Sequence, residues 1–278
     1  MADKVVLITG CSSGIGLEAA VDLAARGYRV VATMRNLAKR EKLDLRAKAR
    51  GVTLDVQALD VVKADSIAAC ADHVQRTYGP LWALINNAGF GMGGFFEDLT
   101  DADYRDQMET NFWGVLAVTR AFVTPMRQAG RGYVVMVSSE SGRVSIPGLG
   151  AYQSSKFALE GFTEGLWHEL RPFGVRAVLV EPGMIKTDIF TTNIRLCDES
   201  QNPRSPYYQR AQNLLAKTMK DYHARAASPE ACNAIFAAVL EDPDPGLRYL
   251  VGWDAKLVVF LKWVLPERWF LWLVSKEY

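Results

Sequence analysis

Closely spaced cysteines and histidines are missing from this sequence. Its four cysteines, Cys11, Cys70, Cys197 and Cys232, form no C-x-x-C pair, and only 3 histidines accompany them. Disulfide frameworks and zinc sites need clustered cysteine or histidine side chains. We therefore expect no disulfide and no metal site, and the isolated thiols favour a reducing compartment.

A surplus of one charge is missing as well. The 32 lysines and arginines nearly balance the 31 aspartates and glutamates, and the basic residues form no long run. Proteins that bind nucleic acid neutralise its phosphates with clustered basic side chains. We therefore expect no nucleic-acid partner.

Targeting and spanning segments are also missing. The first residues lack the charged segment, long apolar stretch and cleavage site of a signal peptide, which favours a cytoplasmic location. The apolar tail, 254–278, carries three tryptophans, but Lys262, Pro266, Glu267 and Arg268 interrupt it. Two interpretations stay open: the tail lies on a membrane surface as a peripheral contact, or it packs over a pocket or a subunit interface.

The composition is that of a globular protein, with 49% hydrophobic and 23% charged residues. Up to about residue 182, short aliphatic runs alternate with amphipathic helical stretches, which is typical of parallel βαβ units. We therefore predict a single α/β domain, 1–278, with a doubly wound, Rossmann-type parallel sheet. The six predicted strands are Val5–Thr9, Arg29–Thr33, Val52–Leu59, Leu81–Asn86, Tyr133–Ser138 and Val175–Val180.

Beyond the predicted sheet the pattern loosens. Residues 184–206 are polar and irregular, and helical patterns follow at 207–225 and at 229–240, the latter starting from a cap at Ser228. A long loop region above the edge of a sheet is often a lid. We predict a substrate lid at 184–228 and one further strand at 247–251.

A glycine-rich turn follows the first strand. Thr9-Gly10-Cys11-Ser12-Ser13-Gly14-Ile15-Gly16 leads directly into a helical stretch at 17–26. Glycines let the backbone approach a pyrophosphate, and the following helix directs free N–H groups towards it. The turn therefore predicts a dinucleotide-binding site.

The second strand is followed by Arg35 rather than by a carboxylate. An acidic residue near this point usually binds the ribose 2′-hydroxyl of NAD. Arg35 can instead pair with a 2′-phosphate, and Ser12 of the turn can add a hydrogen bond. NADP(H) is therefore expected in preference to NAD(H).

Tyr152 and Lys156 lie one helical turn apart at the start of a predicted helix, 152–170. A nearby ammonium lowers the pKa of a phenol, so this pair is suited to acid–base catalysis. A serine at the end of the fifth strand can polarise a substrate carbonyl. The pattern alone leaves Ser138, Ser139 and Ser141 open for that role.

These motifs together resemble the short-chain dehydrogenase/reductase family over about two thirds of the chain. The resemblance rests on the G-x-x-x-G-x-G turn, Asn86-Asn87-Ala88-Gly89, Tyr152-x-x-x-Lys156 and Pro182-Gly183 with Thr187. The segments 9–17, 32–35 and 155–161 are most similar to the branch of 17β-hydroxysteroid dehydrogenase type 1 and photoreceptor-type retinol dehydrogenase. Such a protein is expected to form a homo-oligomer, a dimer or a tetramer.

The resemblance also assigns roles to residues. It selects Ser139 among the three serines, gives Lys156 the nicotinamide ribose hydroxyls, and gives Asn111 a water that relays protons to Lys156. The implied catalytic residues are Ser139, Tyr152, Lys156 and Asn111. The implied cofactor-binding residues are Thr9, Gly10, Ser12, Ser13, Gly14, Ile15, Gly16, Arg35, Asp60, Val61, Asn87, Ala88, Gly89, Tyr152, Lys156, Pro182, Gly183 and Thr187.

The expected activity is the NADP(H)-dependent interconversion of a ketone or aldehyde and an alcohol on a lipophilic substrate such as a steroid or retinoid. Apolar residues predicted to line the substrate pocket are Met92, Phe95, Phe96, 144–149 and 184–190. The same chemistry on a ketoacyl or sugar carbonyl is an alternative. A non-catalytic, dinucleotide-sensing regulatory protein is a further alternative, but it would have no chemical need for the catalytic set.

Overall fold

The computed structural model describes residues 4–187 and 194–277 and contains a seven-stranded parallel sheet. The strand order is β3-β2-β1-β4-β6-β7-β9, with a separate pair formed by β5 and β8. The strands are β1 Val5–Ile8, β2 Arg29–Met34, β3 Asp55–Ala58, β4 Ala83–Asn86, β5 Gly91–Gly93, β6 Gly132–Val137, β7 Val175–Pro182, β8 Ile194–Leu196 and β9 Arg248–Val251. The doubly wound α/β prediction is confirmed, and the strand predicted at 247–251 is the seventh of the sheet.

Helices cover both faces of the sheet, as crossovers between parallel strands require. Alternate residues of β1 serve the two sides: Val6 and Ile8 belong to one apolar cluster, Val5 and Leu7 to the other. Helices α1, α2 and α8 pack on the first cluster, and α3, α5 and α6 on the second. The helices are α1 Gly14–Ala25, α2 Glu41–Ala49, α3 Ala64–Thr77, α4 Asp101–Met108, α5 Gly114–Gln128, α6 Gly150–Leu170, α7 Tyr208–Arg225, α8 Glu230–Glu241, α9 Trp253–Val264 and α10 Glu267–Glu277.

Several predicted boundaries were wrong. Strand β3 begins only at Asp55, and α8 begins at Glu230 rather than at a Ser228 cap. The tail bends at Pro266, between α9 and α10, because proline cannot donate the backbone hydrogen bond that a continuous helix needs. A π-helical stretch, Glu109–Trp113, separates α4 from α5.

The order of the strands fixes where a ligand can bind. Chain connections run outward from β1 to β2 and β3, then return to β4 on the other side of β1. At such a switch point the loops diverge and leave a crevice at the carboxyl ends of the strands. Most of the predicted functional residues lie at or after the carboxyl ends of β1, β2, β3, β4, β6 and β7, so the fold brings them to one edge. Asn111, Tyr152 and Lys156 lie on helical segments.

Candidate active site

A cleft of about 540 Å³ lies at this edge, a size common for small-molecule sites. It contains nearly all of the residues that the sequence predicted for the site. Those lining the cleft are Gly10, Ser12, Ser13, Gly14, Ile15, Arg35, Asp60, Val61, Asn87, Ala88, Gly89, Asn111, Ser139, Tyr152, Lys156, Pro182, Gly183 and Thr187. The predicted residues therefore form one continuous site.

Thr9 and Gly16 do not line the cleft but shape its glycine turn. The Thr9 hydroxyl accepts hydrogen bonds from the backbone N–H groups of Asn87 and Ala88, each at 2.9 Å. A Cβ at Gly16 would collide with the Asn87 side chain and the Gly10 carbonyl, so only glycine allows this packing. The two residues hold the β1 and β4 loops together.

The amino end of α1 opens into the cleft. Ser13, at its N-cap, has extended backbone and makes no capping hydrogen bond with its side chain, while Gly14 and Ile15 line the cleft wall. Gly10 takes a φ of +75°, which turns the chain sharply after β1. N–H groups and the positive end of a helix dipole are thus directed at the cleft, an arrangement that fits a pyrophosphate.

The far end of the cleft is basic. Arg35 is exposed at the end of β2, and Lys39, which the sequence analysis missed, lines the same wall. The only signal for Lys39 was its place four residues after Arg35, in a segment whose short 3₁₀ turn, 37–39, could not be predicted. Asp60 lies nearby, at the end of β3.

Tyr152, Ser139 and Lys156 meet at the opposite end. Tyr152 is hydrogen-bonded to Ser139, and the Lys156 ammonium lies 5.7 Å from the centre of the Tyr152 ring. Lys156 Nζ also donates to the Val137 carbonyl at 2.9 Å, which ties it to the end of β6. Of the other two serines, Ser138 lines the cleft and Ser141 does not.

Burial controls the protonation of Tyr152 and Lys156. It raises the pKa of Tyr152 to about 12, against a smaller lowering by the Ser139 hydrogen bond. It lowers the pKa of Lys156 to about 8. The expected lowering of the Tyr152 pKa was wrong for this arrangement, because loss of hydration outweighs the Ser139 hydrogen bond and the charge of Glu140 adds to the rise. The phenol of Tyr152 is therefore neutral at physiological pH.

A carboxyl group adjoins the same residues. Glu140 follows Ser139 directly, and burial, with the charge of Asp254, raises its pKa to about 7. Its own charge in turn favours the neutral form of Tyr152. The site thus contains an ionisable carboxyl that the sequence analysis did not identify.

Asn111 lies in the π-helical stretch, a feature frequent at functional sites. Its side-chain amide donates to the Phe90 carbonyl at 2.9 Å and to the Ser155 hydroxyl at 3.3 Å. Its carbonyl oxygen accepts the Phe90 N–H at 3.1 Å. In this arrangement Asn111 fixes the backbone that follows β4. The proton relay through Asn111 stays a prediction.

Arg195 is a second residue that the sequence analysis missed. It lies on β8, lines the cleft, and its guanidinium stacks 4.3 Å from the centre of the Phe90 ring. It forms an ion pair with the exposed Asp106 at 3.7 Å. The pairing of β8 with β5 brings it here, and that pairing of two three-residue strands has no sequence signature.

A smaller apolar cavity of about 70 Å³ lies on the other side of β8. Of the predicted pocket residues, Phe95, Ile146, Gly148 and Leu149 line it, together with side chains of β8 and α7. Met92 and Val144 are buried elsewhere, and Phe96 is 79% exposed, so these three predictions were wrong. Ile185 and Thr187 line the main cleft, whereas 188–190 lie outside the described residues.

Within residues 4–187 and 194–277, no cluster of three or more His, Cys, Asp or Glu side chains could hold a metal ion. The four cysteines are buried free thiols. None of the helices in the same ranges combines enough length and apolarity to cross a bilayer.

Known proteins resemble this chain over most of its length. The family profile described as short chain dehydrogenase matches residues 4–239. The uncharacterized oxidoreductase YusZ of Bacillus subtilis is 37% identical, with 98% of this chain and 96% of that protein aligned. Retinol dehydrogenase 8 of Bos taurus is 36% identical, with 89% of this chain and 81% of that protein aligned. Human 17-beta-hydroxysteroid dehydrogenase type 1 is 35% identical, covering 90% and 77%.

Solved structures show the same fold. A short-chain dehydrogenase from Streptomyces avermitilis superposes with a TM-score of 0.81 at 32% identity, covering 98% of this chain and 97% of that one. A metagenomic short-chain oxidoreductase in complex with NADP gives 0.70 at 27% identity, covering 90% and 96%. Since the family profile spans most of the chain and these relatives align along nearly all of it, the chain belongs to the short-chain dehydrogenase/reductase family of NAD(P)-dependent oxidoreductases.

Proposed function

We propose that this protein catalyses the NADP(H)-dependent interconversion of a ketone or aldehyde and an alcohol on a lipophilic substrate. The observation that carries the proposal is the half-buried, neutral Tyr152, hydrogen-bonded to Ser139 beside the Lys156 ammonium. This group faces the same cleft as the glycine turn.

A bound nicotinamide supplies or accepts the hydride. In reduction, Ser139 donates a hydrogen bond to the substrate carbonyl oxygen and stabilises the negative charge that develops there. Tyr152 then donates its proton to that oxygen, and the Lys156 ammonium stabilises the phenolate left behind. Oxidation of the alcohol follows the same path in reverse. Asn111 supports the group by fixing the Phe90 backbone.

The residues present fit a dinucleotide phosphate. Gly10, Gly14 and the amino end of α1 would hold the pyrophosphate, and Lys156 the nicotinamide ribose. At the far end, Arg35 and Lys39 would pair with a 2′-phosphate, with no acidic side chain of β2 to repel it. NADP(H) is therefore proposed over NAD(H), and bound NADP in a structural relative is consistent with this choice.

Replacing the two basic side chains, Arg35 and Lys39, should reverse the preference for NADPH over NADH. In Arg35→Ala/Lys39→Ala, we expect the ratio of kcat/KM for NADPH to that for NADH to fall about 10- to 100-fold, because charge-assisted hydrogen bonds are lost. Steady-state kinetics with both cofactors measure this ratio. Lys42→Ala, on the neighbouring α2 and outside the cleft lining, is the control. An unchanged ratio in the double variant would place the 2′-phosphate elsewhere.

The lipophilic substrate is inferred from the apolar cavity on the other side of β8. Phe95, Ile146 and Leu149 line it on one side, and Leu214 and Leu215 of α7 on the other. The predicted lid, 184–228, thus contributes β8 and α7 to its walls. Relatives named for retinol and hydroxysteroids support the same class of substrate.

A panel of ketosteroids, retinal, ketoacyl thioesters and sugar ketones, each with NADPH and NADH, tests the substrate class. We expect the highest kcat/KM with a ketosteroid or retinal and NADPH. A preference for ketoacyl thioesters or sugars would replace the lipophilic class while leaving the chemistry in place. Tight NADPH binding without turnover of any carbonyl would favour the sensor alternative.

The tail is proposed as a peripheral membrane contact. Trp263 is 81% exposed, and Trp269 and Trp272 are also exposed, so these side chains do not cover a pocket of their own chain. Lys256 and Arg268 on the same helices would attract anionic headgroups. Such a surface would hold the enzyme where a lipophilic substrate accumulates. A homo-oligomeric assembly also stays a prediction.

Vesicle flotation separates these roles. We expect the protein to float with vesicles that contain phosphatidylserine, and Trp263→Ser/Trp269→Ser/Trp272→Ser to stay at the bottom of the gradient. Trp82→Phe, within the folded core region, is the matched aromatic control. If the wild type does not float, and the triple variant turns a dimer into a monomer, the surface is a subunit interface.

A further inference from the structure

The start of helix α9 meets the end of strand β7 directly behind the catalytic end of the cleft. Gly183 donates its N–H to the Val251 carbonyl at 2.9 Å, which continues the pairing of β7 with β9. Met184 donates its N–H to Asp254 Oδ2 at 2.8 Å. The two residues that follow β7 are therefore both held by hydrogen bonds, Gly183 to the end of β9 and Met184 to the first turn of α9.

The Asp254 carboxylate packs tightly against two glycines. A Cβ at Gly183 would lie 2.6 Å from each of the two Asp254 carboxylate oxygens. Gly252, with a φ of +102°, passes against the same carboxylate, and a side chain there would collide with Oδ1. Two glycines thus leave room for this group, so its position and that of the Gly183 backbone determine each other.

On its other side, the same backbone belongs to the cleft. Pro182 and Gly183 line the cleft wall, and Ser139 Oγ lies 3.4 Å from the Pro182 carbonyl, as a hydrogen-bond donor. Asp254 does not line the cleft. Apart from its charge, which raises the pKa of Glu140, Asp254 acts on the site through the backbone that it holds.

We propose that Asp254 is a positioning residue, which accepts the Met184 N–H and thereby fixes the Gly183–Met184 backbone beside Ser139 and Tyr152. The first turn of α9 becomes part of the cofactor site, although most of the tail faces solvent. This inference rests on the proposed function, since that backbone is assigned to the nicotinamide end of NADP(H).

Three variants test the role of the acceptor. We expect Asp254→Ala to raise the Kd and the KM for NADPH about tenfold, because the Met184 N–H loses its partner and the backbone is released. Asp254→Asn keeps an oxygen at the same place, so its Kd should stay within about threefold of the wild type. Lys256→Ala, an exposed position on the same helix, should bind NADPH like the wild type. Fluorescence titration gives the Kd, and circular dichroism confirms folding.

A double-mutant cycle keeps the test valid if Asp254→Ala folds poorly. Gly183→Ala alone would push its methyl group against the carboxylate, whereas Asp254→Ser makes room for it. The loss of NADPH affinity caused by Gly183→Ala should therefore be at least threefold smaller in the Asp254→Ser background. Losses of NADPH affinity that simply add in the double variant would overturn the inference. So would wild-type NADPH affinity in Asp254→Ala, or a loss in Asp254→Asn as large as that in Asp254→Ala. If the wild type binds neither NADPH nor NADH, the proposed function fails as well.

Discussion

Tyr152→Phe is expected to lower kcat for carbonyl reduction by about 10³-fold while the Kd for NADPH stays within about twofold of the wild type. Phenylalanine keeps the ring that packs in the site but has no proton to donate to the substrate oxygen. Ser139 would still polarise the carbonyl, which accounts for a residual rate. Single-turnover oxidation of NADPH, with a separate fluorescence titration, measures both quantities.

Tyr28→Phe is a matched control for that substitution. Tyr28 is 4% exposed, and its hydroxyl has no hydrogen-bond partner within the described residues. Its loss removes the same atom from a buried position just before β2, away from the cleft. Activity retained in Tyr152→Phe, or lost equally in Tyr28→Phe, would show that the proton comes from another group.

Lys156→Met is expected to reduce kcat by about 10²- to 10³-fold, because the phenolate that forms on Tyr152 loses the ammonium that stabilises it. The Kd for NADPH should rise as well, since Lys156 is proposed to hold the ribose. Stopped-flow reduction at saturating NADPH separates the two effects. A variant that loses affinity but turns over at the wild-type rate would limit Lys156 to cofactor binding.

A change in folding stability should not explain the lower kcat of Lys156→Met. The pKa of Lys156 falls from 10.5 to about 8 on folding, so burying the ammonium costs about 3 kcal/mol below pH 8. That cost is relieved as pH rises from about 8 towards 10.5, where the unfolded chain binds more protons. Methionine removes the cost but leaves the Val137 carbonyl without its donor. We expect the unfolding free energy at pH 7 to stay within about 2 kcal/mol of the wild type.

The predictions that succeeded rest on local patterns. Alternating strands and helices fixed the sheet and its loops, and the glycine turn occupies the switch point where a dinucleotide site is expected. The spacing of Tyr152 and Lys156 placed both on one face of α6, next to Ser139. These features depend on neighbours in the chain, which the sequence displays directly.

The predictions that failed depend on contacts between distant segments. Arg195 reaches the cleft because β8 pairs with β5, about a hundred residues earlier in the chain, and nothing in either three-residue strand indicates the other. Asp254 reaches Met184 by a similar long connection. The raised pKa of Tyr152 follows from loss of hydration inside the cleft, which spacing on a helix cannot reveal.

The pH dependence of kcat/KM for carbonyl reduction tests the central claim most directly. With Tyr152 as a neutral acid of pKa about 12 and Lys156 of pKa about 8, both groups carry their proton at pH 7. We predict that kcat/KM falls above about pH 8, as Lys156 loses its charge, and that any change near pH 7, where Glu140 titrates, disappears in Glu140→Gln. A reduction rate that instead rises with pH from about 8 to 10 would mean that the active form is deprotonated, and would contradict proton donation by Tyr152.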